Sequence, residues 1–261
     1  MADARRTGNY LFELGFNIDR VGDEMHGTGV AIPELLVSGT TNLRTSILAA
    51  WADSLAGLLA LDVTAPRVPV TLQLDVQLFV SPREGAEIRA VARSVKSGRS
   101  VVVLRVDFLA DGEEVGLATT TFMPSPDPKV LIQRGDITLP KSGGPILQLP
   151  FAERVSLEHP ELGVAVVPME LDGRNASKTL NGGLLALAIE EAALSLSPGE
   201  LLSSLAMHYL QPVRVGPAVA RADVRAGLGR VEVCDAGRDD RVAVVATTRT
   251  FGACGERPRA G

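Results

Sequence analysis

Two stretches of the chain are apolar almost all the way round a helical wheel: "NLRTSILAAWADSLAGLLAL" from Asn42 to Leu61, and "NGGLLALAIEEAALSL" from Asn181 to Leu196. A helix without a polar face has to be wrapped. Both runs fall short of the roughly 20 uninterrupted apolar residues of a membrane span and carry acids, so the pattern predicts two helices buried in protein. Each is followed by strand-like segments separated by turns. "SGRSVVVLRVDFLADGEEVGLATTTF" reads as a hairpin around Asp111-Gly112.

The order of these events recurs. "FVSPREGAEIRA" from Phe79 and "YLQPVRVGPAVARA" from Tyr209 align on Phe/Tyr-x-x-Pro and a following Gly, with one residue inserted. The halves close on "LATTTF" at Phe122 and "ATTRTF" at Phe251. This is a diverged internal duplication. Between the copies, Met123 to Pro150 holds six prolines and a Ser-Gly-Gly, which resist helix and continuous strand alike. The expected organisation is an N-terminal repeat over 1–123, a Pro-rich linker over 124–150, a C-terminal repeat over 151–252 and a disordered tail over 253–261. The expected class is α+β, with two antiparallel sheets each wrapped around its own long helix.

Composition removes several function classes. A net charge of −5 over 261 residues offers no basic field for nucleic acid or an anionic membrane. Cys234 and Cys254 are the only cysteines, with no CxxC or Cys/His ligand spacing, so neither a disulfide framework nor a metal site is expected. "MADARRTGNYLFELG" has no apolar signal core, and the expectation is a cytoplasmic protein with no membrane span.

By this point the residues resemble a known family, the hotdog fold, and within it double hotdog acyl-CoA thioesterases related to phenylacetate-pathway thioesterases. The resemblance runs from roughly Gly15 to Phe122 and from Phe151 to Phe251. Its most specific piece is a helix start with His-Gly-Gly and an acid nine residues after the His. Here Asn181 stands in the His position, Gly182 and Gly183 are intact, and Glu190 is the acid. In the first half Arg44 takes the His position, Thr45 and Ser46 replace the glycines, and Asp53 is the acid. The resemblance implies hydrolysis of an acyl-CoA in lipid metabolism, without a metal or organic cofactor, by a chain that can associate further into a homo-oligomer.

Geometry constrains how such a motif can work. A helix N-terminus offers unpaired N–H groups and the positive dipole end to a developing oxyanion. Glu190, however, lies about 12 Å along the axis from Gly182, too far to share one carbonyl with it. The acid must come from the other half, through antiparallel packing of the two helices. Two composite sites follow, Gly182 N–H with Asp53 and Thr45 N–H with Glu190.

Relatives of this kind often carry an Asn six residues before the His position, which is Asn175 before Asn181 but Ser38 before Arg44. We therefore expect Asn175 and Gly182 to polarise the carbonyl and Asp53 to act as general base or nucleophile, with the Glu190 site degenerate. A hydroxyl eighteen residues past the acid, Thr71, is a weaker candidate for holding water; a strand threonine is the favoured reading. Asn181 is a good N-cap, and Asn181 and Gly183 are expected to touch substrate. The acyl chain is expected between the two helices, against Leu48, Trp51, Leu185 and Ile189. Arg44 is read as a surface residue, and Glu191 as structural or solvated because it points about 100° away from Glu190.

Other chemistries lack their residues. There is no G-x-S-x-G elbow, and the only histidines are His26, His159 and His208. Hotdog hydratases place an Asp five residues before a His; here those positions are Val21, Arg154 and Ser203. The rival from another class is a non-catalytic acyl-CoA binding or scaffold protein, since the His position is lost in both halves.

Overall fold

The computed structural model describes residues 10–132, 146–175 and 177–251. Residues 133–145 of the expected linker and the expected tail lie outside them. The first half runs α1 (Tyr10–Glu13), β1 (Asn17–Val21), β2 (Glu24–Val30), α2 (Thr45–Thr64), β3 (Pro69–Leu78), β4 (Glu87–Ser97), β5 (Val102–Ala110) and β6 (Glu113–Pro124). The second runs α3 (Phe151–Arg154), β7 (Val164–Val167), α4 (Gly182–Ser195), β8 (Leu201–Tyr209), β9 (Ala218–Arg225), β10 (Leu228–Asp235) and β11 (Arg241–Phe251).

Local chemistry sets these boundaries. Pro66 stops α2 one turn after its last apolar residues. Asp111 and Gly112, both at positive φ, make the two-residue turn between β5 and β6, and Ala226 and Gly227 make the matching turn between β9 and β10. β6 continues through Pro124, so the first repeat reaches one residue into the expected linker.

The expectation of two sheets needs correction. All eleven strands form one sheet in the order β1-β2-β4-β5-β6-β3-β8-β11-β10-β9-β7. β3 and β8, each the strand that follows a long helix, pair antiparallel from Gln73↔His208 to Gln77↔Ser204 and fuse the halves edge to edge. Pairing removes two exposed edges that would otherwise invite other chains. Outward from this seam each half repeats one order, with the strand after the helix followed by the last, the third and the second, and then a strand that precedes the helix.

Helices α2 and α4 lie against each other and against the sheet. At 20 residues α2 is long and apolar enough to cross a membrane, yet 67% of its apolar window is buried inside the protein. Two contacts fix their relative direction. The start of α2 meets the middle of α4 through Thr45 and Glu190, and the start of α4 meets the middle of α2 through Gly182 and Asp53, so the helices run antiparallel.

Candidate active site

Asp53 sits at the middle of α2 and lines a cavity of about 390 Å³ together with Asn175, Asn181, Gly182 and Tyr209. A Cβ built on Gly182 would come within 3.4 Å of Asp53 Oδ2, so the carboxylate and the α4 start face each other across the halves. The Gly182 N–H donates to no group among the described residues, whereas the Gly183 N–H is taken by Asn181 Oδ1 at 2.8 Å. Asn181 is thus the N-cap of α4, and it leaves one helix-start donor open to the cavity.

Gly183 was expected at the substrate and is found instead at the helix crossing. A Cβ there would stand 2.7 Å from Ala50 Cβ, so the glycine is what lets α4 approach α2. The helices touch there, and the cavity opens beside that contact, lined by Asp53 and Gly57 of α2 and by Gly182 and Leu185 of α4. Leu48, Trp51 and Ile189 are fully buried in the core and do not line the cavity, and Trp51 stacks on Phe16 with ring centroids 4.7 Å apart. Of the four expected tunnel residues only Leu185 lines the cavity. Its apolar wall comes from the other side, with Gly57 of α2, Val68 and Val70 around the start of β3, and Phe122 of β6.

Thr71 donates its hydroxyl to Asp53 Oδ1 at 2.8 Å. Simple alternation from buried Leu74 would turn Leu72 rather than Thr71 toward the helices. A β-bulge between Thr71 and Gln73 shifts the register by one and delivers the hydroxyl. Burial pushes the Asp53 carboxyl up to about 6, and outweighs the Thr71 hydrogen bond, which pulls the other way. A base that is half ionised near pH 6 is matched to removing a proton from water at neutral pH.

Asn175 lies in the loop before α4. Its Oδ1 accepts from Ser177 N, Thr179 N and Thr179 Oγ1 at 2.9, 3.1 and 3.1 Å, which fixes the side chain of a residue that lines the cavity. The opposite wall is the 210–214 loop. Asp235 anchors this loop by accepting from the N–H groups of Arg214, Val215 and Gly216 at 2.8, 3.2 and 2.7 Å. Burial works against ionising Asp235, but these donors prevail and lower its pKa.

The second composite position is closed. Glu190 is fully buried and accepts from Thr45 N at 2.8 Å, Ser46 N at 3.3 Å and Ser46 Oγ at 2.6 Å. It therefore caps α2, whose own N-cap residue, Arg44, provides no side-chain acceptor. The surface reading of Arg44 is corrected here: it is 2% exposed and is paired with Glu190 at 3.5 Å and with Glu191. Glu191 also pairs with His159, so it is structural. Burial raises the Glu190 carboxyl above the ordinary carboxylate range, against the pull of Arg44 and Ser46. The two acids differ by one methylene. From equivalent positions, eight residues after Thr45 and Gly182, glutamate reaches the opposing helix start and occupies its donors, while aspartate stops short and leaves Gly182 free.

Sequence reasoning missed Tyr209, whose hydroxyl lies 2.9 Å from the Cβ position of Gly182. The "YLQP" alignment paired it with Phe79, which gave no sign that it faces inward. The histidines are elsewhere: His26 contacts Glu24, His159 contacts Glu191, and His208 is exposed on β8. Among the described residues no group of three or more His, Cys, Asp or Glu has metal-ligand geometry.

Residues 45–117, which span α2 and extend into β6, match the model of the thioesterase superfamily. No curated protein matches the chain. Solved structures show the fold to be shared. An acyl-ACP thioesterase from Bacteroides thetaiotaomicron is similar at TM-score 0.62 and 15% identity, covering 88% of this chain and 98% of that one. The 12:0-ACP thioesterase from Umbellularia californica is similar at 0.60 and 13%, covering 89% and 99%.

Proposed function

We propose that this hotdog-fold, thioesterase-like chain hydrolyses an acyl thioester, acyl-CoA in the first instance, at the single open site between its halves. The observation that carries this reading is the meeting of Asp53 with a Gly182 N–H that has no partner among the described residues, both lining a largely apolar cavity. The duplicated strand order supports reading the chain as an intrachain pseudo-dimer, in which each helix start answers to the acid of the other half.

In this mechanism the thioester carbonyl accepts from Gly182 N–H and Asn175 Nδ2. Asp53, held by Thr71, takes a proton from water as the water oxygen attacks the carbonyl carbon. The tetrahedral intermediate collapses, the C–S bond breaks, and the thiolate leaves to be protonated. Direct attack by Asp53 to form an anhydride, then hydrolysed by water, uses the same placement of groups. The acyl group would lie against Gly57, Val70, Phe122 and Leu185.

A panel of acyl-CoA and acyl-ACP esters, with released thiol followed by a thiol reagent, tests the reading. Turnover by the wild type, and a loss of at least 100-fold in Asp53→Asn with unchanged folding, is the expected outcome. Binding of acyl-CoA seen by thermal shift without thiol release from any ester would instead identify a non-catalytic binding protein.

A further inference from the structure

We propose that the Tyr209 hydroxyl is a further catalytic residue of this site, donating to the thioester oxygen beside the Gly182 N–H as negative charge develops there. The inference rests on the hydrolytic reading above and adds a group that neither the helix-start motif nor the spacing from Asp53 identifies.

Placement is the first ground. Tyr209 Oη and Asp53 Oδ2 stand 2.9 and 3.4 Å from one point, the Cβ position of Gly182, so phenol and carboxylate bracket the helix start. No hydrogen bond joins the two among the described residues, which leaves the space between them for a reacting group. Strand geometry is the second ground. Tyr209 shares the inward face of β8 with buried Met207, whereas its sequence counterpart Phe79 is 62% exposed.

The third ground is an unspent donor. The hydroxyl's one partner among the described residues is Met207 Sδ at 3.9 Å, a weak acceptor that an anionic oxygen would readily replace. Burial and the neighbouring Asp53 hold the phenol well above a tyrosine's ordinary range, so it remains protonated while Asp53 works as a base. A neutral phenol donor suits an oxyanion, because it stabilises charge as it appears without adding a cation that would bind the ground state equally well.

Tyr209→Phe keeps the ring and removes only the donor. The expected result is a fall in kcat of about 10- to 1000-fold with KM within about threefold, and an unchanged melting temperature. A kcat near the wild-type value, or a loss confined to KM, overturns the proposal. Should the variant fold poorly, the chain's having only two tyrosines supplies a second readout. In Tyr10→Phe protein labelled with fluorotyrosine, the single ¹⁹F resonance belongs to Tyr209. It should move on adding a non-hydrolysable ketone analogue of acyl-CoA that binds the protein, and a resonance that stays put under saturating analogue counts against the role. Hydrolysis that Asp53→Asn abolishes and Tyr209→Phe spares would sink this inference alone, whereas a wild type inert toward every thioester would remove the hydrolytic reading and this inference with it.

Discussion

At the scale of single residues, the proposed chemistry turns on the price of burying Asp53. A carboxyl raised from 3.8 to about 6 binds its proton more tightly in the folded chain than in the unfolded one. Its contribution to stability is therefore complete below about pH 4 and lost as pH rises through about 6, a penalty of about 1–3 kcal/mol at neutral pH. Activity takes the opposite sign, because the base works only when ionised. We expect kcat/KM to climb with pH through about 6 and level off above it. Asp53→Asn should be inactive yet more stable at pH 7 by about 1–3 kcal/mol, read from denaturant midpoints at pH 7 and pH 4, with little difference between the proteins at the lower pH. The one-methylene argument adds a sharper variant. Asp53→Glu retains the charge but gains the reach by which Glu190 covers Thr45 and Ser46. It should cap Gly182 and lose most activity, so an Asp53→Glu enzyme with near-normal kcat/KM would show that reach does not decide which site is open.

At the scale of elements, α2 carries both the proposed base and part of the wall of the cavity. Gly57 lies one turn beyond Asp53, and a Cβ there would meet Phe122 only at 3.8 Å, ordinary contact rather than a clash. A glycine inside a helix costs about 1 kcal/mol relative to alanine, and no steric need offsets it here. The gap it leaves lines the cavity. Gly57→Ala should therefore stabilise the chain by about 0.5–1 kcal/mol. Gly57→Leu should shift preference toward shorter acyl groups, measured as the ratio of kcat/KM across a chain-length series; an unchanged ratio would place the acyl group elsewhere. This element also shows what the sequence made legible. The spacing of Asp53 and Glu190 from their helix starts pointed to a composite site because helical rise alone separates Gly182 from Glu190. Thr71 was ambiguous because its direction depends on a bulge that the alternation pattern does not reveal. Tyr209 was invisible because the alignment pairs it with Phe79, which is 62% exposed. Leu48, Trp51 and Ile189 were misread because an all-round apolar helix does not say which side faces a cavity and which a core.

At the scale of the whole molecule, a strand order that recurs in the two halves and the antiparallel pairing of the strands could be read from recurring patterns. The fusion into one sheet could not, since β3 and β8 each pair with one strand of their own half and nothing local marks their other edge as the seam. That seam and the Arg44–Glu190 contact give the halves a shared stability. Arg44 and Glu190 lie on different halves, both buried, and Glu190 also supplies the cap that α2 lacks. Removing one member of such a pair leaves an uncompensated buried charge, typically a loss of about 3–5 kcal/mol, somewhat less where Glu191 still holds the arginine. Glu190→Gln keeps the shape and an acceptor for Thr45 N–H, so we expect a cost nearer 2–4 kcal/mol with kcat/KM within about threefold of wild type. Because the halves share a sheet, the loss should lower one cooperative calorimetric transition as a unit. A Glu190→Gln protein whose transition splits in two would mean that the halves fold independently. One that keeps its stability but loses turnover would move the catalytic acid from Asp53 to Glu190.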